Sequence, residues 1–233
     1  RVYVYNRQGN VVSGWNFDRT ERIVTKPIQH FRVSGRDYLV LADTNRPYIL
    51  NRRGEERVRL QRFFSQAKHS SFTLEAGSSG VPPRLITTDT LGVVRLIYLD
   101  GRVEDLPLRR MSAQHSFDYQ DITGNGVREF IYLDGKNLHV FNRSGNELFT
   151  TRLPHQASPG IIYFHFGARD RKVGIVAREQ SLIYLINGDG TFYKGFPLRG
   201  ITPFSIGQFA NTRTRFNLVV GSSTGFVLNY AVQ

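Results

Sequence analysis

Apolar residues in this chain come in short runs of four to seven, each closed by Gly, Asn or Asp. The stretch from His115 shows the order clearly: HSFDYQD, then EFIYLD from Glu129, NLHVFN from Asn137 and ELFTTRL from Glu147. β-Branched and aromatic side chains fill the runs and turn-forming residues separate them, which predicts short strands joined by hairpins. The same order recurs as IIYFHFG, KVGIVARE, LIYLIN and TFYKGFPL between Ile161 and Leu198. Earlier copies run from Ile28 to Leu60 and from Phe72 to Leu108. Only Arg57 to Lys68 can be scanned as an amphipathic helix, and the adjacent Phe63 and Phe64 fit that period poorly.

A glycine turn follows a strand-like run about every 45 residues, at Gly9, Gly54, Gly101, Gly145 and Gly190, and a sixth copy reads GFVLNYAVQ from Gly225. Four strands per period of this length predict an all-β fold, a β-propeller of four-stranded antiparallel blades. Such a blade cannot bury its faces alone, so blades must stack, and Ile131, Leu133, Ile175 and Ala177 are expected to pack between them. The expected blades span about 28–60, 72–108, 115–153 and 161–198. Residues 1–18 supply only the last two strands of a blade, and 204–233 only the first three. The simplest account is one propeller domain over 1–233, part of a ring of about six to eight blades; a complete small ring with irregular closure is the alternative.

Length and composition narrow the class. A chain of 233 residues is long enough to bury a sizeable core without crosslinks. It contains no cysteine, which removes disulfide frameworks, thiolate zinc sites and thiol nucleophiles together. The longest apolar stretch, Leu91 to Leu99, is interrupted by Arg95 and is about half the length of a membrane-spanning helix. Arg1 leads directly into a strand, so the numbering is expected to start inside a longer gene product.

Charge adds one candidate surface. The formal net charge is +12, nearly all of it from arginine, and this raises the expectation of an acidic partner. The densest basic stretch holds Arg52, Arg53, Arg57, Arg59, Arg62 and Lys68, diluted by Glu55 and Glu56. Strand alternation places Arg57 and Arg59 opposite Val58 and Leu60. Two readings stay open, a solvated outer strand whose charges discourage edge pairing and a patch that binds a polyanion or glycan.

Three segments carry a family likeness. VYVYNRQGNVVSGWNF from Val2 and LIYLINGDGTFYKGFPL from Leu182 share a glycine turn and then a second glycine, Gly14 or Gly195, followed by Trp15 or Phe196. The segment DITGNGVREFIYLDG from Asp121 resembles the aspartate- and glycine-rich loop between the first two strands of an FG-GAP/VCBS-type blade. Together they resemble the FG-GAP and PQQ-like propeller repeats of bacterial envelope and cell-surface proteins. The equivalent loops VSGRDY, FGARDRK and FANTRTR lack the acidic ladder. In that family the loop often binds calcium. Asp121, Thr123, Asn125, the Val127 carbonyl and Glu129 fall at alternate positions, so their oxygens can converge on a hard cation. An Asn-Gly turn at Asn125 forms the hairpin equally well without metal, and both readings stay open.

Catalytic chemistry finds little support. GSSTG from Gly221 has the letters of a nucleophile elbow, but a strand follows it where that motif needs a helix. His30, His69, His115, His139, His155 and His165 show no spacing that pairs two on one metal or one with a nucleophile. Quinone-dependent dehydrogenases use a related propeller with repeated tryptophans, whereas this chain has only Trp15. The expected function is therefore a non-catalytic interaction platform that binds a protein partner at a bacterial envelope or cell surface, with no cofactor beyond the open question of calcium. Polyanion or glycan binding is the alternative, and a quinoprotein-like enzyme ranks behind both.

Overall fold

The computed structural model describes every residue except 1, 25, 79, 210–215 and 233; most of the FANTRTR loop therefore lies outside the described residues. Among the described residues, twenty strands and one short 3₁₀ turn, Arg178–Gln180, make up the regular structure. The contacts gather in two compact units, Arg1–Ala113 and Gln114–Gln233. The boundary falls between two of the expected blades, within the span that the sequence reads as one domain.

In the first unit, β1 (Gln29–Val33), β2 (Arg36–Ala42), β3 (Pro47–Leu50) and β4 (Glu56–Val58) form an antiparallel sheet in chain order. After the two-residue β5 (His69–Ser70) comes a second such sheet, β6 (Thr73–Glu75), β7 (Arg84–Thr88), β8 (Val94–Tyr98) and β9 (Val103–Leu106). The second unit holds β10 (Ser116–Gln120), β11 (Glu129–Asp134), β12 (Asn137–Phe141) and β13 (Glu147–Arg152), paired in that order. Next come β14 (Ile162–His165), β15 (Arg171–Ala177), β16 (Leu182–Asn187) and β17 (Leu198–Arg199). A three-stranded sheet follows, β18 (Ser205–Gly207), β19 (Phe216–Gly221) and β20 (Val227–Val232). Each expected four-strand copy is thus a sheet. No helix of the described residues is long and apolar enough to cross a membrane.

Period-two alternation explains why the central strands are apolar throughout. Val40 and Ala42 of β2, with Ile49 of β3, join a core with Leu85, Ile97 and Val103 of the neighbouring sheet. Leu41, Tyr48 and Leu50, from the same two strands, instead pack with Val2, Trp15 and Phe17. The second unit repeats this: Val173, Ile175, Ala177, Tyr184 and Ile186 face Ile131, Leu133, Leu138 and Val140, while Val176, Ile183 and Leu185 face Leu218 and Val220. A strand buried on both faces must carry apolar residues at consecutive positions, and stacked sheets supply both faces.

The repeating turn has one chemical device. Asn51 Oδ1 accepts from the amides of Arg53 and Glu55, and Asn142 Oδ1 accepts from Ser144 and Asn146. Asn6, Asp89 and Ser222 do the same for residues two and four positions on. The chain then closes through a left-handed glycine, at φ +76° in Gly54 and +85° in Gly145, a conformation that a Cβ penalises. GSSTG is accordingly a hairpin, with Ser222 N donating to the Phe226 carbonyl.

Two elements depart from the expected strands. TFYKGFPL pairs only briefly, at an isolated Ile186–Phe192 bridge and then at Leu198–Arg199, because Gly195 turns at φ +88° and Pro197 has no amide hydrogen to donate. Arg57 to Lys68 holds no helix: β4 ends at Val58, and irregular chain follows it.

Candidate functional site

The loop from Asp121 to Glu129 joins β10 to β11 and closes upon itself. Glu129 is 2% exposed and accepts from the Ile122 amide at 2.8 Å, the Thr123 amide at 3.3 Å and Thr123 Oγ1 at 2.9 Å. Asp121 accepts from the amides of Asn125 (3.1 Å) and Gly126 (3.0 Å), and Asn125 Oδ1 accepts from Val127 N at 2.7 Å. Both carboxylates and the Asn125 oxygen are therefore engaged by the loop's own donors. Among the described residues no group of three or more His, Cys, Asp or Glu side chains is placed to hold a metal ion. Burial pushes the Glu129 carboxyl above its usual range, and the Asp121 charge adds to the shift.

The loop also seats against the next sheet. Tyr163 Oη donates to the Asp121 carbonyl at 2.8 Å, and the buried Arg171 guanidinium lies 3.9 Å from Asp121 Oδ2. Gly124 approaches so closely that a Cβ there would lie 2.7 Å from the Arg169 carbonyl oxygen. A Cβ on Gly188 would lie 2.3 Å from the Ile122 carbonyl oxygen. Asp118, which the sequence reading passed over, sits in β10 nearby and accepts from Tyr119 N and Gln120 Nε2; burial raises its carboxyl. Its signal was an acidic residue in the middle of the apolar run SFDYQ.

The arginines of the basic stretch are not gathered for a single task. Arg52 Nε pairs with Asp37 Oδ2 at 2.8 Å, Arg57 lies over the Tyr38 ring at 5.3 Å, and Arg62 forks onto Asp105 at 2.8 and 3.1 Å. Arg53 and Arg59 are exposed and form no ion pair among the described residues. Val58 and Leu60 are buried while Arg57 and Arg59 are exposed, the alternation expected of an outer strand.

Apolar side chains stand exposed on two hairpins. In the first unit Tyr3 (56%), Tyr5 (58%) and Val11 (66%) lie on a narrow ribbon held by the Tyr5–Val11 bridge. In the second unit Phe226 (70%) immediately precedes β20 and Val227 (73%) opens it. Two of the histidines serve local contacts: His30 bonds Asp37 at 2.8 Å and His139 bonds Thr150 at 2.6 Å.

No family model matches the chain, and no curated protein matches it. Solved structures do. BBS1N, crystallised in complex with ARL6DN, is similar over 88% of this chain with a TM-score of 0.56 and 12% identity. The chain spans 62% of the length of that BBS1N chain. A catalytically inactive H270A virginiamycin B lyase from Staphylococcus aureus, solved with quinupristin, is similar over 98% of this chain and 76% of its own, with a TM-score of 0.54 and 13% identity. Both are β-propellers, and the likeness shows that fold for this chain.

Proposed function

We propose that this chain is a non-catalytic β-propeller platform that binds a protein partner. One observation carries the reading: large apolar side chains, Phe226 and Val227 above all, are held in solvent at the end of a well-packed sheet. Rigid exposure of this kind marks contact surfaces. The fold supports it, since BBS1N was crystallised in a complex with another protein. The lyase likeness supports an enzyme only at the level of fold, which does not specify chemistry. We place the platform at a bacterial envelope or cell surface on the resemblance to FG-GAP and PQQ-like repeats alone. We also read the loop from Asp121 to Glu129 as a metal-free latch, because its carboxylates are engaged by amides.

The second reading, polyanion or glycan binding, rests on Arg53 and Arg59. A partner isolated with the intact chain separates the two in a salt titration. Protein contact through apolar side chains keeps most of its affinity between 50 and 200 mM salt, whereas multiple phosphate contacts lose it by orders of magnitude. Loss of that size, or turnover of a bound small molecule, overturns the platform reading.

A further inference from the structure

We infer that a groove of the first unit, between the turn 89–93 and the segment 107–110, is a docking site for an acidic segment of a protein partner that inserts one apolar side chain. The inference rests on the platform reading and specifies where the partner sits.

The sequence itself opens this gap. β8 and β9 pair as far as Val94–Leu106, and the next residue is Pro107, which has no amide hydrogen to extend the ladder. Pairing lapses there and resumes in a single bond, where Met111 N donates to the Leu91 carbonyl at 3.0 Å. Between these two pins residues 107–110 form no strand, and the amides of Leu108 and Arg110 find no backbone partner among the described residues. The turn opposite is fixed in shape. Asp89 Oδ1 accepts from the amides of Leu91 and Val93, and a Cβ on Gly92, at φ +87°, would lie 2.6 Å from Met111 Cγ. Both walls are therefore held before any partner arrives, which lowers the ordering cost of binding.

The groove has a volume of about 330 Å³ and is lined by Leu91, Val93, Pro107, Leu108, Arg109 and Arg110. Leu91 is 51% exposed, and Pro107 is exposed as well. An apolar side chain seated against them removes both surfaces from water.

Charge selects the occupant. Arg109 and Arg110 are exposed, and no Asp or Glu lines the groove. The carboxylates of the flanking turn and strand are already matched: Asp89 by Arg95, Asp105 by Arg62 and Arg95, and Glu104 by Arg102. A second copy of this chain, at +12, would meet like charge there. An acidic segment meets complementary charge, and its carbonyls and carboxylates can accept from the amides of Leu108 and Arg110. A polyanionic glycan brings the charge but no side chain to cover Leu91 and Pro107.

The test is fluorescence anisotropy of the intact chain with a labelled acetyl-Asp-Glu-Asp-Leu-Glu-Asp-amide peptide. Saturable binding is expected, weakened about tenfold or more by Arg110→Glu and about fivefold or more by Leu91→Ser. Both substitutions lie at exposed positions, where the fold tolerates change. A peptide with Ser in place of Leu keeps the charge but loses the anchor, and is expected to bind about tenfold more weakly. It serves equally if either variant does not fold. Absence of saturable binding, equal binding of the Ser peptide, or equal binding of a peptide with Lys in place of every acid overturns the inference. Heparin binding that Arg110→Glu abolishes, in a chain that ignores the peptide, would assign the groove to polyanions and overturn it too. So would a dimer in sedimentation velocity that Leu91→Ser dissolves, which would assign the groove to self-association. If a partner isolated with the intact chain binds both variants as tightly as the native protein, the site falls while the platform reading stands.

Discussion

Two buried carboxylates, Asp89 in the first unit and Glu129 in the second, are held in opposite ways. In the first, Asp89 accepts from the amides of Leu91 and Val93 and is gripped by Arg95, which also reaches Asp105 at 2.5 Å and lies over the Phe64 ring at 5.3 Å. Arg62 completes the chain on Asp105. In the second, Glu129 is held by two amides and a hydroxyl, with another carboxylate nearby. Pairing with arginine favours the charged form; burial among neutral donors with a like charge close by disfavours it. The Asp105 carboxyl is accordingly held below its usual range by Arg95 and Arg62 against the opposing effect of burial, and the Glu129 carboxyl lies above it. The turn at Asp89 therefore closes through ionic pairing, and the carboxylate of Glu129 through neutral hydrogen bonds.

The sharpest way to break this contrast is Arg95→Met. It leaves Asp89, 7% exposed as a side chain, without its counter-charge, and such a loss costs about 3 kcal/mol or somewhat more. For a chain of this size that lowers Tm by roughly 6–12 °C, read by calorimetry; a shift below two degrees would mean the pair is not electrostatically important.

Gly124→Ala tests the second unit's latch. The residue sits at φ +71° and its Cβ would meet the Arg169 backbone, so a cost of about 2–3 kcal/mol is expected from strain and overpacking together. Gly126, also left-handed at φ +85° but with open space around it, should cost about 1–2 kcal/mol from strain alone. Equal losses at the two positions would remove the argument that the loop is a seam contact.

The pH response sharpens the comparison further. Asp105, with its lowered folded value, contributes stability that is present above the ordinary aspartate range and lost as pH falls through that lowered value. Glu129, with its raised folded value, takes up a proton more readily when folded, so its contribution weakens as pH rises from the ordinary glutamate range through the raised value. Carboxyl-carbon NMR should place the two midpoints on opposite sides of their ordinary values; both on one side would refute the contrast.

The smallest effects are expected from calcium and the free arginines. Millimolar calcium should leave Tm unchanged within a degree if the latch is metal-free, whereas a rise abolished by Asp121→Ala would restore the calcium reading. Arg53→Glu with Arg59→Glu should change stability by no more than about 0.5 kcal/mol while removing any retention on a polyanion column.

Much of the fold was legible in the chain itself. The period of the glycine turns, the four short runs per copy and the double-faced apolar strands each encode a local rule: a left-handed turn, a pleat, two buried faces. Local rules repeat in the sequence because each copy must obey them independently. Other features depended on which atoms meet across sheets. Asp121 and Glu129 read as cation ligands by spacing, yet amides several residues away engage their oxygens. Arg62 reads as part of a basic patch, yet Asp105, remote in sequence, claims it. A groove beside Tyr230 arises where the break at Gly195 and Pro197 lies against β20, an adjacency that only the stacking of sheets creates.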